Sequence, residues 1–149
     1  LISSLSELAS EDGQQSEGQK TFTEVTEDLA ETEAISTKQV SINFPSGSYT
    51  LDENMKTIID LQFLDIAKSF ANSRIRIEGN TDNTGSRQSN IIISKKRAQA
   101  VADYLINEHG FDKNRFVIIG NGPDKPVANN NTNSGRSQNR RTDFELIKD

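Results

Sequence analysis

From residue 38 onward the apolar residues of this chain switch back and forth between a repeat of two and a helical repeat, and that switching restricts the fold more than any other feature. In KQVSINF, Val40, Ile42 and Phe44 alternate with Gln39, Ser41 and Asn43, the period of a strand with one buried face. After the loop PSGSY, Thr50 and Glu53 stand at capping-box spacing, and Met55, Ile58, Ile59, Phe63, Ile66, Ala67 and Phe70 predict one long amphipathic helix. Alternation returns over 74–78, with Ile75 and Ile77 inward and Gly79 as the stop. A second helix is predicted from about 88 to 109, with Ala98, Val101, Ala102, Leu105 and Ile106 as its buried stripe and Gly110 as its terminator. A strand over 115–119 follows, then a Gly-, Pro- and Asn-rich loop over 120–134. GRSQNRR suits a short helix, and TDFELI, with Thr142, Phe144 and Leu146 on one side, suits a fourth strand. The order β, α, β, α, β, short α, β predicts an α/β (α+β) sandwich, a small mixed sheet covered by helices on one face.

The first 37 residues differ in kind. They hold nine acidic residues against the single Lys20, whereas residues 38–149 hold sixteen basic against thirteen acidic, so the predicted domain is mildly basic inside an acidic chain. Residues 1–20 are rich in Ser, Glu, Gln and Gly, a composition that buries too little apolar surface to offset ordering entropy. Residues 1–37 therefore read as an acidic flexible linker, in which Thr21, Glu24, Val25 and Leu29 allow a short helix over 23–34. No apolar run approaches the length of a membrane span, and no signal segment opens the chain. The first residue is Leu, so the expectation is a fragment of a longer protein whose membrane attachment, if any, lies upstream. With no cysteine, disulfide frameworks and thiolate metal sites are excluded.

Three separated motifs carry the chemistry: EGNTDNTGS, NIIISKKRA and GRSQNRR. The first two place Asp82 and Arg97 fifteen positions apart around a strand-to-helix turn. One fixed anion and one guanidinium fork suit a zwitterionic ligand better than bond-breaking chemistry. Asn90, Ser94 and Arg97, spaced four and three apart, share one helical stripe beside the buried one, which sets Arg97 at the rim of the core. Taken singly, Asp82 before Gly85 would be a turn residue bonding its own backbone, and Arg97 a surface charge. Asn90 is balanced between bracing the loop and touching a ligand, and Arg140 leans towards bonding carbonyls of the Asn-rich loop. Arg141 reads as structural.

EGNTDNTGS, NIIISKKRAQAVADYL, GNGPDKPVANN and GRSQNRR, in this order and spacing, closely resemble the OmpA-like C-terminal domain of outer-membrane proteins, peptidoglycan-associated lipoproteins and flagellar stator proteins, over about residues 38–148. The resemblance implies a periplasmic anchor that binds peptidoglycan without a cofactor, through the diaminopimelate of its stem peptide. Carried over position by position, it implies that Asp82 accepts from the ligand's ammonium and Arg97 grips its carboxylate with two donors. Thr81, Thr84, Asn90, Ser94 and Arg140 are implied around them. On that reading Asp82→Ala and Arg97→Ala leave the fold intact and abolish wall binding. The chain departs from the pattern at Asn80, where the family carries His, at Ser89 and Ile93, and in the first loop, which lacks an acidic residue.

Two other functional classes are open to this sequence. A cell-wall hydrolase needs facing carboxylates, and Asp82 with Asp124 is the one loop pair on offer; the single His109, beside Gly110, suits a helix C-terminal cap better than catalysis. A stator or assembly module would instead take a second copy of itself as partner. Lys95, Lys96 and Arg97 lack the aromatic interleaving of a nucleic-acid surface and read as a solvated helix face.

Overall fold

The computed structural model describes residues 38–148, so the expected linker and its helix over 23–34 lie outside the described residues. In chain order the elements are β1 (Val40–Asn43), α1 (Glu53–Ile59), a π-helical segment (Asp60–Leu64), α2 (Asp65–Ser69), β2 (Arg74–Gly79), α3 (Arg87–His109), a 3-10 turn (Lys113–Arg115), β3 (Phe116–Gly120), α4 (Asn133–Asn139) and β4 (Arg141–Ile147). The strands form one sheet in the order β1-β4-β2-β3. β4 runs antiparallel to both β1 and β2, and β2 runs parallel to β3, so the sheet is mixed as expected.

Cross-strand partners show which residues share a face. Val40 and Ile77 both pair with Phe144, Ile75 pairs with Leu146 and Phe116, and Ile77 pairs with Ile118. That face meets the helices: Phe63 sets its ring edge-on to Phe144 at 5.0 Å between centroids, and Ala98, Val101, Ala102 and Leu105 of α3 complete the core. Full burial of each larger side chain contributes roughly 1.5–3 kcal/mol. The opposite face carries a charged ladder in which Arg76 meets Glu145 at 2.8 Å and Arg141 meets Asp143 at 3.1 Å.

The first helical region differs from the expected single helix, for a geometric reason. Its buried residues Met55, Ile59, Phe63 and Ala67 repeat every fourth position, whereas an α-helix turns in 3.6 residues and would carry them off the core face. The wider turn at Asp60–Leu64 takes up that excess and keeps Ile59, Phe63 and Ala67 in line. Phe70, expected to be buried, lies past the last turn and is exposed. The N-cap is Asp52, whose carboxylate accepts from Met55 N at 2.8 Å, in place of the Thr50–Glu53 box.

One close approach fixes the site's geometry. A Cβ on Gly79 would lie 1.7 Å from the carbonyl oxygen of Ser94, so only glycine lets the end of β2 meet α3 backbone to backbone. Ser86 caps the start of α3 through Ser89 N, and Gly110, at φ 71°, ends it. No helix among the described residues is long and apolar enough to cross a membrane.

Candidate functional site

The loop between β2 and α3 is held from both sides. Its entry is tied by Asn80 N to Arg141 O at 2.8 Å and by Thr81 N to Gly122 O at 2.9 Å. Asp82 then turns its carboxylate back on the loop, where Oδ1 accepts from Thr84 N at 2.9 Å. Asn90, one turn into α3, donates from Nδ2 to Thr84 O at 3.0 Å and to Asp82 O at 3.4 Å. Asn90 is therefore a brace for the Asp82 loop, and its amide reaches no further outward than that loop's carbonyls. Thr81 donates its hydroxyl to Asp82 O at 2.7 Å. Thr84 is exposed at the loop's crest and offers its backbone N–H to Asp82.

Arg97 lies deeper than a rim position. It is 1% exposed and, among the described residues, heads the fully buried side chains by volume. Its Nε donates to Ser48 O at 2.8 Å, Nη1 to Asn80 O at 3.0 Å and Nη2 to Pro45 O at 3.2 Å, and its guanidinium carbon stands 5.2 Å from the centre of the Phe44 ring. Three of the five guanidinium N–H groups are thus committed to carbonyls of the first loop and the Asp82 loop, leaving one on each terminal nitrogen. Among the described residues no carboxylate stands within ion-pair distance of it. Burial, then the charge of Arg140, push its pKa down to about 10 against the opposing pull of Asp82, so it remains a cation at neutral pH.

The partner of Asp82 is Arg140. Nη1 of Arg140 meets Asp82 Oδ2 at 3.0 Å while its Nε donates to Phe44 O at 3.1 Å. The expectation that Arg140 bonds the Asn-rich loop is corrected; that loop is clamped instead by the buried Asn139, whose amide bonds Val127 N, Ala128 N, Ala128 O and Asn130. Burial pushes the Asp82 carboxyl up. The Thr84 N–H, the Arg140 and Thr84 side chains and the charge of Arg140 together outweigh it and hold the group below the usual carboxylate range. The site thus sets two guanidinium cations against one carboxylate.

Ser94 does not open on this space. Fully buried, it donates to Ile91 O at 2.8 Å and accepts from Gly122 N at 2.9 Å, which ties the loop after β3 to α3. It positions the site from beneath. Asn80, standing where the family has His, spends its side chain inward: Nδ2 donates to Glu78 O at 3.1 Å and Oδ1 accepts from Asn121 at 3.0 Å. Its carbonyl is what Arg97 grips. The cradle of Phe44, Pro45, Ser48 and Asn80 around Arg97 had no sequence signal, because three of its four contributions are backbone carbonyls.

The two acids of the hydrolase reading are each engaged in an ion pair. Asp124 pairs with Arg87 at 2.6 Å, and Asp82 with Arg140, so each acid is held by its own cation. His109 bonds Asp60 at 3.1 Å across the helix layer and stacks edge-on with Tyr104, while Gly110 supplies the helix stop. Among the described residues no three His, Asp or Glu side chains gather as a metal site.

Comparisons with known proteins agree with this architecture. The OmpA family model matches residues 43–140. Outer membrane porin F of Pseudomonas aeruginosa is 35% identical over 109 residues, covering 72% of this chain and 31% of the porin. Peptidoglycan-binding protein ArfA of Mycobacterium tuberculosis is 42% identical over 80 residues, covering 54% of this chain and 24% of ArfA. The crystal structure of the peptidoglycan-associated lipoprotein from Burkholderia pseudomallei superposes with a TM-score of 0.64 at 30% identity, over 72% of this chain and 87% of that one. The chain thus spans about a third or less of these two sequence relatives' length.

Proposed function

Since the chain belongs to the OmpA family, we propose that its folded part binds peptidoglycan non-covalently, taking the free end of diaminopimelate between Asp82 and Arg97. The observation that carries this reading is Arg97: a buried guanidinium with no carboxylate partner among the described residues, one N–H left on each terminal nitrogen, beside a carboxylate held ionised. A ligand carbon bearing both a carboxylate and an ammonium answers both needs. Its carboxylate takes the two remaining Arg97 donors, and its ammonium shares Asp82 with Arg140, whose partly exposed side chain can give way. A charge-assisted hydrogen bond contributes about 1.5–3 kcal/mol, so losing either contact weakens binding roughly ten- to a hundredfold. In this reading the domain works in the periplasm as a binding module for the wall.

The test is co-sedimentation with purified sacculi. The protein is expected to pellet with diaminopimelate-type wall, to pellet far less with lysine-type wall, whose side chain lacks the distal carboxylate, and to lose binding as Asp82→Asn. Equal pelleting with both walls, or undiminished binding by the Asp82 variant, would refute the assignment. Release of soluble wall fragments would point to a hydrolase instead.

A further inference from the structure

The charges around the pocket exceed what a zwitterionic head group can balance. Among the described residues Asp82 is the one carboxylate that pairs with Arg140 and acts on Arg97, and a ligand carbon with one ammonium and one carboxylate adds no net charge. A third cation stands close by. The first loop runs from Ser48, whose carbonyl takes the Nε–H of Arg97, directly into Tyr49, and the ammonium of Lys96 sits 4.8 Å from the centre of the Tyr49 ring. Tyr49 is 40% exposed and Lys96 is exposed on α3, so this cation is held over the ring at the surface, one peptide unit from the cradle of Arg97. An ammonium over an aromatic face is fixed in place yet keeps outward N–H groups for an anion.

We propose that Lys96 and Tyr49 form a second subsite that takes another carboxylate of the same stem peptide, an inference that rests on the wall-binding reading above. Two carboxylates flank diaminopimelate in an uncapped stem, that of the γ-linked glutamate before it and that of the terminal alanine after it. Either lies within about 10 Å of the distal carbon, the span of three extended residues. Lys96 supplies the ion pair, and the Tyr49 ring holds the ammonium in position and covers the stem's methylene groups. The subsite makes the domain a reader of amidation, because converting the matching carboxylate to an amide removes the charge that Lys96 meets.

The experiment measures affinity for three synthetic stem tetrapeptides: all carboxylates free, the glutamate α-carboxylate amidated, and the terminal alanine amidated. One amidation is expected to lower affinity about three- to fivefold, the range of an exposed ion pair, and which one does so identifies the carboxylate. The same preference should vanish in Lys96→Gln and in Tyr49→Ala and persist in Lys96→Arg, with unfolding midpoints unchanged in the Lys96 variants. If the unaltered protein binds all three peptides equally well, or if Lys96→Gln keeps the preference, the subsite is refuted while wall binding stands. If the unaltered protein binds none of them, the wall-binding reading falls and this inference falls with it.

Discussion

Replacing Arg97 by Ala should damage the fold as well as the site, against the sequence expectation that the fold survives. The Arg97 side chain is the largest fully buried one among the described residues and joins Pro45, Ser48 and Asn80 through three hydrogen bonds of 2.8–3.2 Å. Each such bond to a charged donor is worth about 1.5–3 kcal/mol, so the three together give roughly 5–9 kcal/mol. Against this stands the penalty of holding a cation away from water without a carboxylate partner, several kcal/mol after relaxation. The balance is a loss of about 3 kcal/mol, within the range for emptying a large buried site. In urea, with a slope near 1.5 kcal/mol/M, the unfolding midpoint should drop by about 2 M at unchanged slope. Arg97→Lys should fall in between, since an ammonium keeps the charge but cannot span three carbonyls set around a planar fork. A midpoint for Arg97→Ala within experimental error of the unaltered protein would refute this, because it would mean that the three carbonyls find water as readily as they found the guanidinium. Loss of wall binding by Arg97→Ala therefore conflates pocket and fold, and Asp82→Asn, isosteric and still able to accept from Thr84 N, is the cleaner probe.

Gly79→Ala must push β2 and α3 apart, since its Cβ would sit 1.7 Å from Ser94 O; a loss of at least about 3 kcal/mol in urea unfolding is expected, and a smaller one would show that the strand end yields. Asp82 has a folded pKa below its unfolded value, so it contributes stability above the ordinary carboxylate range that is lost as pH falls through the lowered folded value. Asp82→Asn should flatten that part of the acid-unfolding profile. Asp143 behaves oppositely: burial raises its folded pKa against the pull of Ser41 and Arg141, so the folded state holds the proton longer and stability declines as pH rises from the unfolded to the folded value. Asp143→Asn should remove that decline, and an unaltered profile would argue against a raised pKa.

The strands and helices were legible because each is written by a local repeat. Ile75 and Ile77 alternate in β2, Ala98, Val101, Ala102 and Leu105 trace one stripe of α3, and Gly110 ends that helix as expected. The start of the first helix was less legible. The expected cap was Thr50 with Glu53, whereas the folded chain caps through Asp52, which accepts from the N–H of the core residue Met55. The four-residue spacing of Ile59, Phe63 and Ala67 looked like an ordinary helix, yet a wider turn is needed to hold all three against one flat face.

At the site, the sequence by itself determined which element carries each side chain: Asp82 on the turn after β2 and Arg97 three turns into α3, joined by a capped helix start at Ser86. The tertiary structure decided what each of them does there. It sank Arg97 beneath the first loop, gave Asp82 to Arg140 from a motif 58 residues away and turned Ser94 and Asn90 into braces. The reason is that a strand or helix is encoded in side-chain periodicity, whereas the acceptors that hold Arg97 are backbone carbonyls, chemically alike at every residue. The approach of α3 to β2 across Gly79 sets Asn80 O against the buried cation, and the fold of the first loop adds Pro45 O and Ser48 O.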